Sequence, residues 1–232
     1  MCFSAKASFT AAALLLPSGA FSILRAYRTD RRYAPICALP LLFGLQQLLE
    51  GFVWTSSASG DRDLVKFYAI GYMFFSWLAW PIWVPFSTYF LEPLRRKPLY
   101  LLFAIAGAIL GAGQYLPYFV HSDWLSVQFL DSAIVYDGVE LFDFLFAREL
   151  TYAIYLMLII LPLLLSTRGE IRIFGVLVAI VAAITYLFFR FAYISAFCFG
   201  GALMSFYLVA MIFRIDRGRH NAVSLTVAVD ID

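Results

Sequence analysis

From residue 7 to residue 213 the chain repeats one pattern, a long apolar run followed by a short polar break. The runs fall at roughly 7–25, 34–55, 67–91, 99–119, 147–165, 173–190 and 193–213. A helix rises about 1.5 Å per residue, so about 20 apolar residues cross the hydrocarbon core of a bilayer. The breaks "RAYRTDRRY" (25–33), "SSASGDRDLVK" (56–66), "EPLRRKP" (92–98) and "STRGEIR" (166–172) are too polar to lie in lipid. Only Arg190 interrupts the last long run, and a helix unbroken from 173 to 213 would be about 60 Å long, so a turn is placed there. Of the 232 residues, 63% are hydrophobic and 14% charged, and mean hydropathy is +0.84. Soluble domains hold about 45–50% apolar and about 25% charged residues. The surplus cannot be hidden in one wetted core, so the chain is an integral membrane protein.

Basic residues set the orientation. Arg25, Arg28, Arg31 and Arg32 share one side with Arg95, Arg96 and Lys97, with Arg168 and Arg172, and with Arg214, Arg217 and Arg219. Lys6, Arg62, Lys66, Arg148 and Arg190 fall on the other side, among most of the carboxylates between Glu50 and Glu149. The sequence thus predicts an all-α bundle of seven transmembrane helices over 1–219, with the N-terminus outside and a short cytoplasmic tail at 220–232. It implies a multi-pass protein of the cell (inner) membrane. The segment 120–146 predicts a short outer hairpin or amphipathic piece, because "SVQFL" and "AIVYD" alternate around Asp131-Ser132. The first run has no cleavage site before Pro17, so it reads as a retained helix.

Ionisable residues inside a bilayer are costly and mark interior faces. The second run, "LLFGLQQLLEGFVW" (41–54), carries Gln46, Gln47, Glu50 and Trp54 on one broad helical face. Glu50 lies about 24 Å above Ala34 along that helix, in the outer third of the membrane. In an apolar setting Glu50 is expected to be protonated unless a cation lies close by, and Arg190 and Arg148 are candidates for that cation. Gln114 reaches a similar depth. In the third run, Trp77 and Trp80 are the candidate walls of a cavity, since Pro81 and Pro85 must kink or break the helix beside them. Cys2 and Cys198 both lie toward the outer face, where a disulfide or a shared metal would be possible. The bland alternatives are that the glutamines and Glu50 only bond helix to helix, and that Cys198 is a small buried hydrophobe.

The chain resembles an uncharacterised family of bacterial multi-pass membrane proteins. The residues that carry the resemblance are "MCFSAKASF" (1–9), "QQLLEGFVW" (46–54), "WPIWVP" (80–85) and "CFGGALMS" (198–205). The resemblance implies a stand-alone membrane protein and brings no activity with it.

The favoured function is binding or passage of a small molecule or ion through an outward-facing polar pocket around Glu50. Gln46, Gln47, Glu50 and Gln114 would be its polar contacts, Trp54, Trp77 and Trp80 its walls, and Arg190 a counter-charge. One alternative is a lipid-modifying intramembrane enzyme, with Glu50 as general acid/base and Cys2 or Cys198 as nucleophile or metal ligand. Another is a membrane sensor or scaffold. Partners are the lipid bilayer and a small-molecule, ion or lipid ligand. The basic loops read as orientation signals, which gives no nucleic-acid partner. No cofactor and no oligomeric state are indicated. Two histidines, His121 and His220, on opposite sides exclude a histidine-cluster metal site, and the chain has no GxSxG, Walker A or HExxH motif.

Overall fold

The computed structural model describes residues 4–121, 124–130, 133–138, 141–144, 147–189 and 192–229, with backbone alone from 219 onward. Helix α1 (Ala5–Thr29) begins where the Ser4 side chain accepts from the Ala7 amide, and it stops at an extended Asp30. Asp30 turns the chain by accepting the Arg32 amide, and hydrogen bonds from the Arg32 side chain hold its carboxyl below the ordinary range. The run at 34–55 is split into α2 (Ala34–Cys37) and α3 (Leu39–Ala58). Pro35 and Pro40 stand in the first turns of these helices, where a missing amide costs no helical bond.

The third crossing starts earlier than its apolar run suggests. Asp61 accepts the Leu64 amide at 3.0 Å and caps α4 (Arg62–Met73), drawing the charged residues 62–66 into the helix. A π-helical turn (Phe74–Ala79) and α5 (Trp80–Tyr89) continue it. The π turn answers a problem set by Pro81. The Trp80 amide bonds Phe75 O, and Pro81 has no N–H, so the Ser76 carbonyl has no helical donor. The Tyr155 hydroxyl donates to that carbonyl instead. Pro85 likewise cannot reach back to the Pro81 carbonyl, which points at Gly107. Glycine at 107 and 111 lets α6 (Lys97–Tyr115) lie directly on this irregular backbone. A Cβ at 111 would sit 2.6 Å from Trp77 O.

A single turn, α7 (Pro117–Val120), leads to the hairpin of β1 (Leu125–Leu130) and β2 (Ala133–Gly138), with Val127 opposite Tyr136. The hairpin is present where the alternation placed it, and one part of it is packed into the bundle. Ile134 and Tyr136 are buried, and the strands pack on α4 and on the final helix. A short 3-10 turn (Leu141–Phe144) precedes α8 (Arg148–Leu164), which is followed by α9 (Gly169–Phe188) and α10 (Tyr193–Val229). Helix α10 runs through the expected tail, because no glycine or proline follows Gly218 to stop it.

Six helical segments are long and apolar enough to cross a membrane, beginning at Ala5, Arg31, Arg62, Lys97, Gly169 and Tyr193. Helix α8, the remaining member of the expected seven, is 17 residues long. The arginine-rich breaks are bonded to one another at one end of the bundle. Asp216 pairs with Arg25 and accepts from Thr29 at 2.7 Å. Glu170 accepts from Tyr33, and its backbone carbonyl from Tyr207. Buried Glu92 accepts from Ser166 at 2.5 Å and from the Thr167 amide, while Arg96 donates to Leu165 O. The hairpin occupies the other end.

Candidate functional site

Gln46, Gln47 and Glu50 stand on the face of α3 turned into the bundle, with 0%, 0% and 1% of their surface exposed. Glu50 accepts from Ser195 on α10 at 2.5 Å and from Ser8 on α1 at 3.4 Å. Gln46 donates to Ser76 in the π turn at 2.9 Å and accepts from the Trp80 indole at 3.2 Å. Ser76 in turn lies 3.5 Å from the Cys198 sulfur. Three separate stretches of sequence thus meet around two α3 side chains. The apolar contacts repeat the pattern. Gly51 admits the Phe9 ring, and Gly201 admits the ring of Phe43, which stacks on Trp80 at 4.1 Å.

Gln47 is the exception within this network. Its buried amide makes no hydrogen bond of ordinary geometry and only approaches the Glu50 carboxyl. The indole nitrogens of Trp54 and Trp77 are buried without a hydrogen bond of ordinary geometry as well, and the Tyr72 hydroxyl faces the Cys198 sulfur.

Above this centre, toward the hairpin, is a cavity of about 520 Å³. Its walls include Tyr136 of β2, Arg148, Glu149 and Tyr152 of α8, Tyr186 of α9 and Tyr193 of α10. Tyr136 links cavity and centre. Its ring stacks on Tyr72 at 4.7 Å, and it lies within electrostatic reach of Glu50. Burial pushes the Tyr136 hydroxyl well above its ordinary pKa, so it stays protonated. Trp77 stacks on Tyr152 at 5.7 Å, and the two flank a small void of about 20 Å³ beside Ser76 and Cys198.

The remaining expected residues distribute as follows. Trp54 meets the hairpin edge-on at Phe129, at 5.8 Å. Gln114 is buried on α6, which packs against the π turn. Arg148 is bonded to Asp137 and Asp143 of the hairpin segment and not to Glu50. Arg190 and Cys2 lie outside the described residues. Cys198 is buried and unpaired, and no group of three metal-ligating side chains occurs among the described residues. The sequence reading missed Ser8, Ser76, Ser195 and Tyr155, the partners of the centre. Their only signal was proximity to the quoted stretches, since serine and tyrosine are unremarkable in apolar helices.

A family model described as a family of unknown function (DUF6629) matches residues 1–224, nearly the whole chain. The chain belongs to that family. No curated protein and no solved structure matches it. The stretches that converge on Gln46 and Glu50 all lie within the matched residues, so the buried centre falls inside the family's extent.

Proposed function

We propose that this is a seven-span protein of the inner membrane that binds a small molecule or ion from the outer face. The hairpin-end cavity would admit the ligand, and the polar centre around Glu50 would form its floor. Helix α8 supplies the seventh crossing in this reading. It extends from Arg148, bonded to the hairpin, to Leu165, bonded to Arg96 at the arginine end. Its 17 residues reach the lower limit for a span. Grouping of the arginine-rich breaks at one end supports a cytoplasmic assignment for that end.

The observation that carries the binding reading is the tyrosine-walled cavity of about 520 Å³ at the hairpin end, joined to the Glu50 centre through the stack of Tyr136 on Tyr72. The test is thermal stability of the purified protein in a neutral detergent across a panel of small polar solutes and monovalent cations. At least one solute is expected to stabilise the wild type and to lose that effect in Gln47→Leu and Glu50→Gln. A wild type indifferent to the whole panel, or variants that respond equally, would overturn the reading.

A further inference from the structure

The carboxyl of Glu50 sets a problem of charge balance. Its partners are Ser195 of α10, Ser8 of α1 and the approaching amide of Gln47, all of them neutral. The titratable groups within electrostatic reach are Tyr72 of α4, Tyr136 of β2 and Cys198 of α10. All three are weak acids, and no salt bridge among the described residues involves Glu50. A carboxylate that is 1% exposed is costly to bury unless a positive charge joins it.

The two hydroxyls suit a proton in that role. A serine hydroxyl rotates, and it can either donate or accept. Ionised Glu50 accepts from both serines. Neutral Glu50 donates to one serine and accepts from the other, with no heavy atom displaced. The Ser195 contact of 2.5 Å has the length of an O–H···O bond to an ionised group, about 2.5–2.7 Å. A metal ion shared by these two oxygens would have to enter between them and part them. Gln46 has no such freedom, because the Trp80 indole can only donate.

The hairpin-end cavity supplies a route to solvent. Tyr136 lines that cavity, stacks on Tyr72 at 4.7 Å and lies within electrostatic reach of Glu50. A phenol both donates and accepts, so it can pass a proton toward the carboxyl while taking another from solvent. We propose that Glu50 is a reversible proton-binding site that exchanges with the hairpin-end cavity through Tyr136. The proton leaves the carboxyl for water as hydronium and returns the same way, so no further co-reactant is needed. The route rests on the cavity reading above, and the site itself does not.

Infrared difference spectroscopy of the full chain in neutral maltoside micelles tests this, by following the C=O stretch of protonated carboxyls through a pH titration. One titrating band is expected to vanish in Glu50→Gln. In Ser195→Ala the same band is expected at higher wavenumber, because the carboxyl loses a hydrogen bond. Either variant assigns the band, so the test survives if one of them fails to fold. In deuterated water the band should shift as its proton exchanges, several-fold more slowly in Tyr136→Phe, which keeps the ring on Tyr72. A Glu50 held in one charge state throughout the titration would overturn the site. Loss of the band on adding sodium chloride at fixed pH, but not choline chloride, would overturn the proton in favour of sodium. Exchange unchanged in Tyr136→Phe would overturn the route. A stabilising solute in the thermal panel without a Glu50 titration would overturn the proton site and leave the binding reading standing. Titration with an indifferent panel would do the reverse.

Discussion

At the residue scale, Gln46 and Gln47 are neighbours with opposite roles. Gln46 satisfies both the Ser76 hydroxyl and the Trp80 indole, so removing its amide leaves the indole N–H buried without a partner. Such a loss costs about 1–3 kcal/mol, toward the lower end where membrane hydrogen bonds are modest. Gln47 makes no hydrogen bond of ordinary geometry and only approaches Glu50, so exchanging it for an apolar residue of similar shape removes a desolvation penalty and little contact. Equilibrium unfolding in mixed micelles is therefore expected to show Gln46→Leu destabilised by about 1–3 kcal/mol. Gln47→Leu should be unchanged or more stable. A Gln47→Leu variant destabilised as much as Gln46→Leu would mean that the Gln47 amide has structural partners after all. The sequence showed that both side chains share the polar face of α3, because helical spacing alone fixes that. It could not show which amide was spent. That depends on a serine 30 residues away and on an indole brought into reach by the third crossing.

At the scale of elements, the irregular third crossing is held by two neighbours. Tyr155 caps the Ser76 carbonyl, and α6 presses Gly107 and Gly111 against the backbone of α5 and the π turn. A Cβ at 107 would fall far inside contact distance of the Pro81 carbonyl, which is backbone and cannot rotate away. Gly107→Ala is thus expected to cost at least the about 1–3 kcal/mol typical of overpacking, read as a lowered unfolding midpoint. Gly218→Ala is its control. Nothing lies within 4 Å of a Cβ there, so the gain in helix propensity should leave stability equal or slightly higher. The two prolines announced an irregular helix in the sequence. The form of the irregularity was not legible, since the π turn depends on the donor that the freed Ser76 carbonyl finds, and that donor, Tyr155, comes from another helix. Hairpin existence was legible from alternation, whereas its insertion was not, because period-2 burial looks the same against lipid headgroups as against α4 and α10.

For the whole molecule, the open quantity is the number of crossings, and α8 decides it. If α8 spans, the chain crosses seven times, and residues 95 and 218 share the cytoplasmic side while residue 59 is outside. If α8 stays at the hairpin end, α9 and α10 are inverted, and residue 218 joins residue 59. Ser59, Arg95 and Gly218 are all exposed, and the native Cys37 and Cys198 are buried, so single cysteines at these positions can be distinguished from background in a Cys2→Ser chain. With a membrane-impermeant maleimide on intact cells, Ser59→Cys is expected to react. Arg95→Cys and Gly218→Cys should react only after permeabilisation. Labelling of Gly218→Cys from outside would reduce the count to six. The same labelling fixes which compartment the tyrosine cavity serves, because Arg148 ties the N-terminus of α8 to the hairpin that roofs it. An outside assignment for residue 59 would make the cavity a site for extracytoplasmic ligands. The reverse would turn the cavity toward the cytoplasm and place the arginine-rich breaks outside, against the charge rule that orients nearly all such chains.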